Sequence, residues 1–183
     1  MGHLPLSEME AITTAQRARR FIWGIASALF YRPSPRAFHA WRRMLLRTFG
    51  ATVEKGAHPY PRARIWAPWN LHMGPHSCLS DDVDCYSVAK ITIGVHATVS
   101  QHSYLCSASH DYTKIAMPMI AAPIIIDDEA WVAAAVFIGP GVTVGRGAVV
   151  GARSTVISDV PPWQVVAGSP ARNVRTRPEF SRE

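Results

Sequence analysis

Ile126, Val132, Ile138, Val144, Val150 and Val156 stand six residues apart without a miss, and Ile93, Val99 and Leu105 keep the same interval. Met73, Leu79 and Cys85 form an earlier set. Two positions before the aliphatic residue sits a small or β-branched one, at Ala97, Ala130, Val136, Val142, Ala148 and Ser154. Gly74, Gly94, Gly139, Gly145 and Gly151 follow directly after it. A period of six is neither a heptad nor plain strand alternation. It describes a short strand plus a bend, with the aliphatic residue pointing inward and the small one pointing the same way near a corner, where volume is limited. Glycine supplies backbone freedom or close approach at the bend. Stacked coils of this kind pair their backbones around one apolar axis, so the pattern predicts a mainly β solenoid.

The first fifty residues follow another period. Phe38, Trp41, Leu45 and Phe49 recur at helical spacings, while Arg42, Arg43 and Arg47 fall elsewhere on the wheel and Gly50 supplies a C-cap. Arg32-Pro33-Ser34-Pro35 separates this helix from the apolar run Phe21–Tyr31, because each proline removes a donor and restricts its predecessor. Residues 1–50 are therefore read as one or two basic amphipathic helices. They either pack on the solenoid or touch a membrane surface.

The repeat fails once in its later half. Leu105 and Ile120 are 15 residues apart, not a multiple of six, so a loop (residues 106–121) leaves the solenoid and the inward phase is expected back at Ile120. His110 and Asp111 lie on that loop, and loops on a rigid scaffold are natural places for a site. Imidazole, titrating near ~6.5, is suited to take a proton from a hydroxyl. Asp111 either orients the ring or fixes the loop. Asp82 and Asp84 are two apart, hence expected on one face of a strand.

Composition changes the picture only in places. A chain of 183 residues, 48% hydrophobic and 17% charged, suits one packed domain, and 12 Gly with 14 Pro suit many turns. The formal charge of +6 is unevenly placed: Arg17, Arg19, Arg20, Arg32, Arg36, Arg42, Arg43 and Arg47 precede residue 50, and Arg172, Arg175, Arg177 and Arg182 close the chain. Such clusters suit phosphate groups, but no nucleic-acid motif accompanies them. Cys78, Cys85 and Cys106 form no CxxC and cannot all pair within one chain, so a reducing, cytoplasmic setting is expected. The run Phe21–Tyr31 is too short to span a bilayer, and too few apolar residues precede Ala26-Ser27-Ala28 for signal cleavage.

The repeat resembles that of the hexapeptide-repeat acyltransferases, and the likeness runs from Val53 to Arg175. The closing stretch GARSTVISDVPPWQVVAGSPARNVR is similar to that family's last coil and C-terminal segment. RPSPRAFHAWRRMLLRTFGA, IWAPWNLHMG, CLSDDVDCYSVAKITIG, SYLCSASHDYT and WVAAAVFIGPGVTVG together resemble the branch of colanic acid biosynthesis acetyltransferases. The resemblance implies a left-handed parallel β-helix over residues 51–165, behind the helical segment 1–50 and ahead of a tail at 166–183. It implies a homotrimer with sites between subunits, and O-acetyl transfer from acetyl-CoA to a sugar hydroxyl in exopolysaccharide biosynthesis.

Carried over residue by residue, His110 matches the family's general base, with Asp111 beside it. Backbone amides would hold the oxyanion, and no cysteine nucleophile is required. Trp131, Ala134 and Ala152 match the groove for the pantetheine arm, and Arg172 a basic position near the CoA phosphates, with Arg153 and Arg175 as weaker matches. Asp82 and Asp84 fall where relatives place polar acceptor-binding residues. Where many relatives carry Thr-Lys, this chain has Ile157 and Ser158, so that phosphate contact is not carried over. A zinc lyase on the same solenoid is disfavoured, since His96 and His102 are six apart and no His-x4-His spacing places a third ligand; no metal is expected. The alternative is a non-catalytic β-helix scaffold that binds a membrane or partner. The cytoplasm is the expected setting, with its membrane face left open by the basic helices.

Overall fold

The computed structural model describes residues 6–8 and 13–178; Arg182 of the closing basic cluster lies outside them. Its strands stack into three parallel faces. The first carries Thr52–Val53, Leu71–Met73, Ile91–Ile93, Ile124–Ile126 and Thr143–Val144. The second begins with His58–Pro59, Cys78–Leu79, Thr98–Val99, Trp131–Val132 and Val149–Val150. The third carries Arg64–Ile65, Asp84–Tyr86, Tyr104–Cys106, Phe137–Ile138 and Thr155–Val156. The chain visits the faces in this order on every coil, so a residue is stacked on its counterpart in the next. Val99, Val132 and Val150 are in register on the second face and wholly buried, as the six-residue interval requires.

The bends show which of glycine's two uses applies. Gly74, Gly94, Gly139, Gly145 and Gly151 are not in the left-handed region; that conformation falls to other corner residues, among them His76, Asp82, His96, His102, Ala135 and Arg153. What these glycines provide is close approach. A methyl group built on Gly94 would lie 2.6 Å from the Asp128 amide nitrogen of the next coil, and one on Gly145 2.7 Å from the Pro162 nitrogen. Gly94→Ala is therefore expected to cost about 1–3 kcal/mol in a urea titration. Gly24→Ala, in a helix with nothing within 4 Å, is expected to be neutral or to stabilise by about 0.5–1 kcal/mol.

Two helices pack over the first coils. Helix α1 (Thr14–Ala26) opens on a capping box in which Thr13 and Gln16 each accept from the other's amide. It runs into a wider π-helical turn, Ser27–Tyr31, and helix α2 (His39–Thr48) follows the proline break. Trp23, Tyr31 and Leu46 are buried against the solenoid, with the Trp23 indole donating to the Ile65 carbonyl at 2.7 Å. The arginines are the surprise. Arg42 is fully buried, and its guanidinium donates to the carbonyls of Pro59, Pro35 and Arg36 at 2.6–2.8 Å and to the Ser34 hydroxyl. Arg43 donates to Ala57 O and Arg47 to Val53 O. Setting Arg42 apart from the packing face was thus incorrect, and Arg43 and Arg47 reach the coil from its rim: Val53, Ala57 and Pro59 belong to the first coil, whose open edge has no further strand to pair their carbonyls, and long cationic donors reach them.

Two further expectations are corrected. Ile120 does not resume the inward phase; it lies in an antiparallel hairpin formed by Ala108–His110 and Met119–Ala121, and the coil restarts at Ile124. An edge strand, Ser7–Glu8, pairs with the hairpin's second strand. The expected tail from residue 166 on is strand over much of its described part: Gln164–Gly168 extends the second face and Ala171–Thr176 folds back on it antiparallel.

Candidate active site

His110 ends the outgoing strand of the hairpin, on an exposed loop. Its Nδ1 lies 2.7 Å from the carbonyl oxygen of Met117. A carbonyl can only accept, so Nδ1 carries the proton and the neutral ring has its lone pair on Nε2. Met117 adopts a left-handed backbone (φ 42°), unusual for a long side chain, and its amide donates to Lys114 O. The Asp111 amide donates to Pro118 O across the same tip. The loop is thus closed on itself around one carbonyl that holds the imidazole.

Asp111 does not hold it. Its Oδ1 accepts from the amide and hydroxyl of Thr113 at 3.1 and 2.6 Å, and its other oxygen faces Lys114 Nζ at 3.6 Å. The Thr113 hydrogen bonds, aided by Lys114, hold its carboxyl below the usual carboxylate range. Of the two roles open to Asp111, the geometry supports fixing the loop. Met117, whose backbone takes the orienting role, carried no sequence signal, because a carbonyl is common to every residue.

Trp131, Ala134 and Ala152 gather along the edge between the second and third faces. Trp131 is half exposed and its indole donates to Ser100 Oγ at 3.0 Å. Ala134 and Ala152 occupy the same corner of successive coils, where the amide of Arg153 donates to Ala134 O. Arg172 is next along: it pairs with Ala167, against which Gly151 packs. The four residues form a track with an exposed cation at its end.

The same edge holds the acceptor candidates lower down. Asp84 begins a strand of the third face, but Asp82 sits on the preceding corner at φ 59°, so the two do not share a strand as expected. The corner takes up the spacing. Both still line one cavity of about 600 Å³ with Arg32, Arg62, Arg64 and Tyr104. Asp82 pairs with Arg62, and Asp84 with Arg64 at 2.8 Å, in partly exposed bridges that add little stability. Arg62 and Arg64 were missed because nothing in their spacing joins them to Asp82 and Asp84, which lie 20 residues on and meet them only by stacking of the coils.

His110 is not brought to this edge within one chain. It leaves after Tyr104–Cys106, from the far side of the third face. Cys85 is buried, its thiol pushed up to about 12 by desolvation, and Cys106 contacts Ala108 O, so neither has a nucleophile's surroundings. Among the described residues no three His, Cys, Asp or Glu side chains converge for a metal ion.

No family model matches the chain. Comparison with individual proteins is decisive: the chain belongs to the hexapeptide-repeat acetyltransferase family, its coil is a left-handed parallel β-helix, and it is an acyltransferase. It is 42% identical over 158 residues to a protein named as a colanic acid biosynthesis acetyltransferase, WcaF of Escherichia coli (strain K12), covering 86% of this chain and 87% of that one. It is 30% identical over 137 residues to galactoside O-acetyltransferase of E. coli (strain K12), covering 73% and 68%. The solved hexapeptide-repeat acetyltransferase VCA0836 of Vibrio cholerae, complexed with acetyl coenzyme A, superposes with a TM-score of 0.79 at 29% identity over 94% of each chain.

Proposed function

We propose that the protein transfers acetyl from acetyl-CoA to a hydroxyl of a saccharide in exopolysaccharide biosynthesis, with His110 as general base. The observation that carries this reading is the Met117 carbonyl on Nδ1, which leaves Nε2 free to receive a proton. As Nε2 takes the hydroxyl proton, the sugar oxygen attacks the thioester carbonyl. Collapse of the tetrahedral intermediate breaks the C–S bond, and the imidazolium returns its proton to the departing thiolate. Backbone amides stabilise the oxyanion meanwhile. Trp131, Ala134 and Ala152 would line the pantetheine arm, and Arg172 would meet CoA phosphate; Asp82 and Asp84 would accept hydrogen bonds from sugar hydroxyls. The names of the relatives above support the donor, the sugar and the pathway. An acceptor screen with labelled acetyl-CoA and product mapping tests this. An O-acetylated saccharide is expected; release of CoA that no saccharide accelerates would sink it.

The same geometry supports a homotrimeric assembly. Acceptor cavity and donor track share one edge, the first on lower coils and the second on upper ones, while His110 projects at the intervening level from the opposite side of the third face. A homotrimer with parallel axes lets His110 of one subunit meet that edge of its neighbour. Co-expressing His110→Ala with a Trp131→Ala/Arg172→Ala chain, each inactive alone, is expected to restore about a quarter of the activity by random pairing across a cyclic interface. No restoration in mixed trimers would assign the site to a single chain.

A further inference from the structure

The two helices bury Trp23, Tyr31 and Leu46 but leave a second apolar face turned outward. A helix packed on a soluble domain normally buries apolar residues and exposes charge. Here Arg19 and Arg20 turn back to lie over the Trp69 and Trp66 rings, at 4.1 and 3.7 Å, and Arg42 is buried. The outward arc of α1 and its π-helical turn is left to Phe21, Ile22, Ile25, Leu29 and Phe30, of which Phe21 is 71% and Leu29 62% exposed. On α2 the outward residues are Trp41 and Met44, with Phe38 just before them. The Trp41 indole donates to Phe30 O at 2.9 Å, which joins the two apolar stripes into one surface. Exposed apolar patches of this kind mark an interaction site.

Charge identifies the occupant. From Thr13 to Gly50 there are eight arginines and no Asp, Glu or Lys. Arg36 meets Asp81 at 3.6 Å, but the bonds of Arg19, Arg43 and Arg47 go to carbonyls, which accept a hydrogen bond without cancelling charge. A second copy seated on this patch would set one arginine-rich surface against another. An anionic lipid surface answers both features, taking the apolar side chains below its headgroups and the guanidinium groups left in solvent, Arg17 among them, near its phosphates. No helix of the described residues is long and apolar enough to cross a membrane.

We infer that the outer face of α1, its π-helical turn and α2 docks in the plane of an anionic membrane. The inference stands apart from the acetyl-transfer reading. A second cavity, lined by Arg20, Gly24, Ala28, Arg64, Trp66 and Asp84, opens along the same helix.

Flotation of the full chain with phosphatidylglycerol vesicles and with phosphatidylcholine vesicles tests it. Binding to the anionic vesicles is expected to exceed binding to the zwitterionic ones at least about tenfold. Phe21→Ser/Leu29→Ser and Arg17→Glu are each expected to reduce anionic binding several-fold, with unchanged circular dichroism. Brominated lipid should quench a fluorescence component that Trp41→Phe removes. The inference is overturned if the wild-type chain does not float with anionic vesicles, or floats as well when both apolar residues are serine. It is equally overturned if the serine variant changes only the oligomeric state in sedimentation velocity, which would make the patch a contact between copies.

Discussion

Replacing His110 by alanine is expected to lower kcat for acetyl transfer by about 10²–10⁴-fold, the usual contribution of a positioned general base. KM for acetyl-CoA should change little, because the residues proposed for the donor lie on another edge of the coil. Stability should stay within about 0.5 kcal/mol, since the side chain is exposed and its one hydrogen bond goes to a loop carbonyl. The companion variant is Asp111→Asn. If Asp111 formed a catalytic pair with His110, both substitutions would be equally damaging. Its carboxylate is instead committed to Thr113 and Lys114, so a loss below about tenfold is expected, from a less ordered loop. Unchanged transfer by His110→Ala, measured with labelled acetyl-CoA, would remove the mechanism; an Asp111→Asn defect as deep as that of His110→Ala would restore the pair.

Arg42→Met is expected to be the most destabilising arginine replacement in the N-terminal helices, by about 2–4 kcal/mol. Methionine fills much of the volume but donates nothing. The carbonyls of Pro35, Arg36 and Pro59 would lose a charged donor at 2.6–2.8 Å, a hydrogen bond to a charged group being worth about 1.5–3 kcal/mol, while Pro35 O keeps the Phe38 amide and Pro59 O keeps His39 Nδ1 at 3.1 Å. Partial relaxation and entry of water keep the sum below the simple total. Burial also holds the Arg42 guanidinium below its usual pKa, though nearby Tyr31 and Asp81 work the other way, so the charged form is desolvated but still present. Arg43→Met, which removes one bond from a half-buried site, is the control and should cost less than about 1.5 kcal/mol. Urea unfolding followed by tryptophan fluorescence reads both, because Trp23 lies under the same helices. A midpoint for Arg42→Met within error of the Arg43→Met value would show that the buried guanidinium is not what fastens the helices.

The legible features were those that repeat. Six aliphatic positions in strict register from Ile126 to Val156 can satisfy nothing but a stacked coil, and the interruption after Leu105 marks the one place where backbone must leave it. His110 stood out for that reason, strengthened by the likeness of its surroundings to those of known acyltransferases. The illegible features depend on partners remote in sequence or on main-chain atoms. Asp111 beside His110 suggested a pair; the chain turns so that the carboxylate faces Thr113. Asp82 and Asp84 suggested a strand, but a corner between strands occupies the same spacing. The edge strand Ser7–Glu8 has two residues and no period at all.

The sequence by itself determined the coil, its inward residues outside the excursion, the position of that excursion and the basic helical character of the first fifty residues, because each rests on a recurring spacing. Tertiary structure decided what the basic residues do and which atom holds the imidazole. Arg42 reaches the carbonyls of Pro59, Pro35 and Arg36, and His110 reaches that of Met117, because the open edge of the first coil, the proline break and a closed loop present particular carbonyls at particular places. Which places those are is a matter of distance in space, and a linear pattern does not contain it.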